Sequence, residues 1–129
     1  MGYRILIVDD SAIIRSVLKK VLKVAGIEVS ELLEAGNGKE AIEKLQASWV
    51  DLVFLDINMP VMNGVEFLKH VRADSVLKTI PVIVVSTEGS QIRLQELADL
   101  GVSAQLRKPV APETLAETVK KVIGEYRHA

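Results

Sequence analysis

The chain has 129 residues, 49% of them hydrophobic and 26% charged, a composition typical of one globular domain that buries its own core. Its formal net charge of −1 gives no electrostatic reason to expect binding to nucleic acid or to an anionic membrane. The absence of cysteine excludes disulfides and thiolate chemistry, and no apolar stretch approaches the roughly 20 residues of a membrane span. We therefore expect a cytoplasmic protein without membrane insertion and without direct nucleic-acid contacts.

Short apolar runs alternate along the chain with longer amphipathic stretches. The apolar runs predict strands at residues 4–8, 30–35, 51–55, 81–86 and 103–107. The amphipathic stretches predict helices at residues 12–25, 39–46, 65–72 and 91–100, and a last helix from Pro112 almost to Ala129. This alternation predicts an α/β protein of the doubly wound (βα)5 type, with a parallel sheet covered by helices on both faces. We expect residues 1–129 to form a single domain with no output domain.

The first and last predicted helices have the clearest apolar faces. The face of the first helix is predicted to contain Ile14, Val17, Leu18, Val21, Leu22 and Ala25. The face of the last helix is predicted to contain Leu115, Val119, Val122, Ile123 and Tyr126. Ser11 is the predicted N-cap of the first helix, and Gly26 is its predicted stop.

Polar side chains follow the strands at the edge where their carboxyl ends meet. Ligands of open parallel sheets bind beyond that edge, so these residues are the first candidates for a functional site. They supply three carboxylates, two hydroxyls and one ammonium group, from Asp9, Asp10, Asp56, Ser86, Thr87 and Lys108. Carboxylates about 5 Å apart repel by on the order of 3 kcal/mol per pair at an effective dielectric near 20. A proton or a cation must therefore compensate them.

This set of groups suits phosphoryl transfer. Lys108 supplies one positive charge against three negative ones, and a hard divalent cation with oxygen ligands fits the remainder. The set contains no histidine, which argues against zinc. A carboxylate beside a metal ion can act as a nucleophile and form an acyl phosphate, while the metal and a lysine neutralise charge on the phosphoryl oxygens.

Five motifs follow one another along the chain: ILIVDDS at residues 5–11, LVFLDINMP at 52–60, MNG at 62–64, PVIVVS at 81–86 and KP at 108–109. They resemble those of the receiver domains of two-component response regulators, and the chain is similar to the stand-alone chemotaxis type. Each motif alone is weak, but the five in this order cover essentially the whole chain. The resemblance implies the flavodoxin-like receiver fold with strand order 2-1-3-4-5.

The resemblance also implies a role for each candidate residue. Asp56 is the implied phosphoacceptor, and Asp10, Asp56 and the backbone carbonyl of Asn58 are implied ligands of Mg²⁺, with Mn²⁺ as an alternative ion. Asp9 is implied to reach the ion through water, and Lys108 to contact a phosphoryl oxygen before a cis peptide to Pro109. Ser86 is the implied switch hydroxyl, and the backbone N–H of Thr87 assists it.

The implied function is a response regulator phosphorylated by a histidine kinase or a histidine phosphotransfer protein. It catalyses only its own phosphorylation and dephosphorylation, and it signals to a downstream protein through the face formed by the fourth helix, fifth strand and fifth helix. We expect a monomer, with dimerisation on phosphorylation left open. Two family aromatics near the final Lys-Pro are replaced by Gln105 and Val110, so the form of the switch stays open.

Each candidate residue also has a simpler structural interpretation. Asp9 and Asp10 taken alone would more often cap the first helix than bind a ligand. Ser86 could be an ordinary buried hydroxyl, and Lys108 alone would usually be a solvated charge. Glu88 could influence hydrolysis of the acyl phosphate or belong to plain loop surface.

Three other functions compete with the leading one. A pseudo-receiver that binds partners without phosphorylation would be favoured by missing acidic residues, and here all are present. A phosphatase of the haloacid-dehalogenase type would need a second aspartate where this chain has Asn58. A flavodoxin-like electron carrier would need a phosphate-binding loop after the first strand and aromatics to stack a flavin, neither of which is evident.

Overall fold

The computed structural model describes residues 2–87 and 89–128, with side chains up to residue 124. In chain order the strands and helices are β1 (Tyr3–Val8), α1 (Ala12–Val24), β2 (Val29–Ala35), α2 (Gly38–Ala47), β3 (Leu52–Leu55), α3 (Gly64–Ala73), a 3-10 turn (Leu77–Thr79), β4 (Val82–Ser86), α4 (Gln91–Asp99), β5 (Ala104–Arg107) and α5 (Pro112–His128). In the part of the chain that the structure describes, no helix has the length and apolar composition of a membrane span.

The five strands form one parallel sheet in the order β2-β1-β3-β4-β5. The doubly wound α/β fold predicted from the sequence and the strand order implied by the resemblance are therefore confirmed. The order reverses between β1 and β3, which places a topological switch point at the carboxyl ends of these two neighbouring strands. That position is where the fold directs a ligand.

The inner strands are buried on both faces, because alternate side chains of each strand enter different cores. Leu6 of β1 belongs to the core under α2, α3 and α4, whereas Ile5 and Ile7 belong to the core under α1 and α5. All three side chains are at most 1% exposed. The continuous apolar runs of the sequence are therefore explained by two cores rather than by one.

The predicted apolar face of α1 is wrong at Val17. Leu18 and Leu22 are buried against the sheet, but the Val17 side chain is 51% exposed. It borders a groove between α1 and Pro109 and Val110 of the loop after β5, and this loop does not cover it. The predicted place of Tyr126 on the buried face of α5 concerns a side chain outside the described ones.

Candidate functional site

The strand register brings two buried aspartates side by side. Val8 of β1 is paired with Leu55 of β3, so the residues that follow them, Asp9 and Asp56, lie at the same edge of the sheet. The Asp56 backbone N–H donates to the carbonyl of Val8 at 2.8 Å. Asp9 is 4% exposed and Asp56 is 8% exposed, whereas Asp10 faces solvent.

The carboxylates of Asp9, Asp10 and Asp56 each present an oxygen within 4.8 Å of the others. Lys108 is the cation that faces them, with its Nζ 2.8 Å from Asp9 Oδ2 and 3.5 Å from Asp56 Oδ1. One ammonium group against three carboxylates leaves a net charge of −2 if all are ionised. Hard oxygen donors with uncompensated negative charge fit a divalent cation of the Mg²⁺ type, so the donor chemistry agrees with the sequence prediction.

The pKa of the Asp56 carboxyl is raised, first by its burial and then by the negative charge of Asp9. Lys108 acts in the opposite direction but does not cancel these effects. The charged form of Asp56 is therefore disfavoured in the fold until a further positive charge enters the pocket.

The helix-capping interpretation of the first two aspartates is not supported by the geometry. Ser11 caps α1, since its side chain accepts from the backbone N–H of Ile14 at 3.2 Å. Asp9 Oδ1 instead accepts from the Ser11 N–H at 2.9 Å, and its other oxygen accepts from Lys108. Asp9 is thus held between the end of β1 and the lysine after β5.

The remaining candidates lie around this pocket. Ser86 is buried at the end of β4, and its backbone carbonyl accepts from the Lys108 N–H at 3.0 Å. Thr87 is exposed and borders the same groove as Asp56. Asn58 is exposed in the loop after β3, and the Lys108-Pro109 peptide is cis, as the resemblance implies. Glu88 lies outside the described residues.

Gly64 allows α3 to begin against the backbone of the phosphoacceptor candidate. Its N–H donates to the carbonyl of Ile57 at 2.9 Å, and a Cβ added at Gly64 would lie 2.7 Å from the carbonyl oxygen of Asp56. The Asn63 side chain caps the helix by accepting from the Glu66 N–H, and the Glu66 carboxylate accepts from the Asn63 N–H. The MNG motif therefore supports the loop that carries Asp56.

Replacing Gly64 with alanine is expected to lower the free energy of unfolding by about 2 kcal/mol, because a backbone atom must move to admit the methyl group. Gly124→Ala is the control, since a Cβ there meets nothing within 4 Å. That change should raise the free energy of unfolding by about 1 kcal/mol through helix propensity. Urea unfolding of both variants checks the two opposite signs; equal effects would contradict the close approach at Gly64.

Gln105 lies on the side of β5 that faces α4, where it is paired in register with Val84. Its Nε2 donates to the backbone carbonyl of Leu94 in α4 at 3.1 Å. A cavity of about 160 Å³ beside this bond is bordered by Ser86, Leu94 and Gln105. The position where the sequence lacks the family aromatic is therefore occupied by an amide that joins β5 to α4 through one hydrogen bond.

An apolar groove of about 380 Å³ runs from the acidic pocket along α1. Ile14 and Val17 form its α1 side, and Pro109 and Val110 belong to the loop on its other side. Asp56 and Lys108 border the same groove. Val110, which replaces the second family aromatic, thus contributes an aliphatic surface next to the pocket.

A five-stranded parallel sheet in this order, with an acidic cluster and a lysine at its switch point, defines a receiver-type α/β protein. The profile of the response regulator receiver domain matches residues 5–120. The chain therefore belongs to the response regulator receiver domain family, whose members are signalling proteins.

The relatives agree with this assignment. Chemotaxis protein CheY1 of Helicobacter pylori is 40% identical over 122 residues, which cover 94% of this chain and 97% of that protein. The structure of the chemotaxis response regulator CheY4 of Vibrio cholerae has a TM-score of 0.82 at 39% identity and covers 95% of this chain and 99% of that one. The phosphorylated cyanobacterial phytochrome response regulator RcpA has a TM-score of 0.80 at 27% identity, over 98% and 95% of the two chains. The chain is thus similar to CheY-type response regulators.

Proposed function

We propose that this receiver accepts a phosphoryl group on Asp56 in a reaction that depends on Mg²⁺. The observation that carries the proposal is the buried Asp56 carboxylate, which shares one pocket with Asp9, Asp10 and the Lys108 ammonium group. An Asp56 oxygen would attack phosphorus, and the bond between phosphorus and the donor group would break, so that the donor leaves with the bonding electrons. The product is an acyl phosphate on Asp56.

Mg²⁺ would be held by the carboxylates of Asp10 and Asp56 with the backbone carbonyl of Asn58, and Asp9 would reach it through water. When bound, it would neutralise charge on the phosphoryl oxygens. Lys108 would take a phosphoryl oxygen as a second positive partner, because its Nζ already lies 3.5 Å from Asp56 Oδ1. Mn²⁺ is an alternative ion for the same oxygen donors.

The phosphodonor in this proposal is a histidine kinase or a histidine phosphotransfer protein. The apolar groove beside Asp56 supports a protein donor, since its aliphatic rim can pack against a partner while the reacting groups meet at its end. Val17, half exposed on α1, supplies part of that rim. The cytoplasmic location, the monomeric state and the single-domain organisation of residues 1–129 are part of the proposal and stay predictions.

The output surface in this proposal is the face of α4, β5 and α5, which would bind a downstream protein target. Ser86 would move toward the phosphoryl group, with the Thr87 N–H assisting. The cavity of about 160 Å³ beside Ser86 and Gln105 offers room for rearrangement under α4. The bond from Gln105 to Leu94 would then restrain α4 in the unphosphorylated state.

Gln105→Leu is expected to lower the free energy of unfolding by about 1 kcal/mol, the usual net value of a hydrogen bond. It should also speed amide hydrogen exchange in α4 more than in α3. The control is Gln95→Leu on α4, whose amide donates to the carboxylate of the exposed Asp99. Amide hydrogen exchange is measured by mass spectrometry. An equal increase of the exchange rate in α4 in both variants would contradict the proposed restraint.

The proposal is tested by incubating the protein with Mg²⁺ and acetyl phosphate and recording its intact mass. We expect a gain of one phosphoryl group that disappears when the metal is chelated. A folded protein that gains no mass in the presence of metal would overturn the proposal and favour a pseudo-receiver that only binds partners. A gain that survives chelation would overturn the metal dependence.

A further inference from the structure

A charged network on α1 reaches the acidic loop without belonging to the reacting groups. The Nε of Arg15 donates to Glu34 Oε1 at 2.9 Å, and the Nζ of Lys19 donates to Glu34 Oε2 at 2.9 Å. Arg15 also donates from Nη1 to the backbone carbonyl of Asp9. One guanidinium group therefore joins the end of β2 to the loop between β1 and α1.

The carbonyl that Arg15 binds belongs to the peptide between Asp9 and Asp10. The Asp9 carboxylate is already fixed by Ser11 and Lys108, whereas the Asp10 side chain is exposed. The direction of the Asp10 carboxylate therefore depends on the orientation of this peptide. Arg15 is suited to fix the orientation of this peptide. Its side chain is only 18% exposed, and Glu34 anchors the other edge of the guanidinium group.

The charge of the network cannot be what favours a cation. Two cations, Arg15 and Lys19, share one carboxylate, so the network carries a net charge of +1 next to the acidic cluster, and this charge by itself opposes cation binding. Any contribution of Arg15 to metal affinity is therefore made through the position of the Asp9-Asp10 peptide. The pKa of Glu34 is lowered, chiefly by its hydrogen bond from Lys19, which keeps the carboxylate ionised and able to hold Arg15. A planar guanidinium group can bond to Glu34 and to the Asp9 carbonyl at once, which an ammonium group cannot do with the same geometry.

We propose that Arg15, anchored by Glu34, is a positioning residue that orients the Asp9-Asp10 peptide for binding of a divalent cation. This inference rests on the proposed function, because it concerns the same acidic pocket. Sequence reasoning did not single out either residue.

The test is titration of Mg²⁺ into the protein by calorimetry, without any phosphodonor. We expect Arg15→Met to raise the dissociation constant roughly 10-fold, in the range seen when groups that orient metal ligands are removed. Glu34→Gln should raise it less, because the amide still accepts one hydrogen bond. Arg15→Lys should restore little of the affinity, since it returns the charge but not both bonds.

The matched control is Glu31→Gln. Glu31 is also on β2 and pairs with an arginine, Arg4, but it lies away from the carboxyl edge of the sheet. Its variant should bind Mg²⁺ as the wild type does. Urea unfolding of every variant identifies those that are folded at the titration temperature, and Glu34→Gln carries the test if Arg15→Met does not fold.

Unchanged affinity in folded Arg15 and Glu34 variants would overturn the inference while leaving the proposed function intact. Equal weakening by Glu31→Gln would overturn it too, because the effect would then be general. Full recovery of affinity in Arg15→Lys would also contradict it, since the simultaneous bonds of a guanidinium group to Glu34 and to the Asp9 carbonyl would then not be required. A wild type that binds no Mg²⁺ would overturn both the metal site and the role of Arg15.

Discussion

Replacing Asp56 with asparagine is expected to abolish phosphorylation and, in the absence of Mg²⁺, to make the fold more stable. The carboxylate is buried beside Asp9, and both its burial and that neighbour raise its pKa, so the charged form opposes folding at neutral pH. An isosteric amide removes the charge. We expect a gain in the free energy of unfolding of on the order of 1 kcal/mol.

Mg²⁺ should reverse this order of stability, so that the wild type becomes more stable than Asp56→Asn. An ion that binds only the folded protein stabilises it by an amount that grows with the logarithm of its concentration divided by its dissociation constant, and Asp56→Asn removes one of its ligands. The wild type should therefore gain more stability than the variant as Mg²⁺ is added, in urea unfolding at constant ionic strength. Asp99→Asn, an exposed change on α4, controls for net charge and should follow the wild type. A variant that gains as much from Mg²⁺ as the wild type would contradict the placement of the ion at Asp56.

Replacing Lys108 with methionine should slow phosphorylation by acetyl phosphate by roughly 100-fold, the lower range seen when one donor to a developing anion is lost. The Nζ of Lys108 bonds to Asp9 at 2.8 Å and lies 3.5 Å from Asp56, so it is placed to contact a phosphoryl oxygen. Methionine keeps the length and most of the apolar contacts of the side chain. The rate is measured from intact mass over time at saturating Mg²⁺.

Saturating metal separates the role of Lys108 in the reaction from its role in compensating the carboxylates. Lys121→Met, an exposed change of the same type on α5, should leave the rate unchanged. A Lys108→Met protein that is phosphorylated at the rate of the wild type would show that the lysine only balances charge in the free pocket.

The strand-end site could be predicted from the sequence because its signals are local. Each buried strand is a continuous apolar run, and a polar residue such as Asp56 ends it, so the parallel sheet brings the ends together. The strand order came from the family resemblance, since periodicity does not fix which strands are neighbours. The cis peptide before Pro109 came from the same source.

The parts that were missed depend on contacts between distant segments. Arg15 and Glu34 are 19 positions apart, and a long guanidinium side chain can reach many partners. The exposure of Val17 depends on how far the loop with Pro109 and Val110 extends over α1. Helical spacing alone predicts neither the Arg15–Glu34 pair nor the exposure of Val17, because it fixes only the direction of a side chain about its own helix.

The most direct test of the central claim is to locate the phosphoryl group. Borohydride reduces an acyl phosphate to an alcohol, so phosphorylation followed by reduction should convert Asp56 into homoserine. Tandem mass spectrometry of a digest should find that change at residue 56 alone, and only in samples that contained Mg²⁺. Reduction at Asp9, Asp10 or any other carboxylate, or a phosphorylated protein without a reducible residue, would contradict the assignment of Asp56 as the phosphoacceptor.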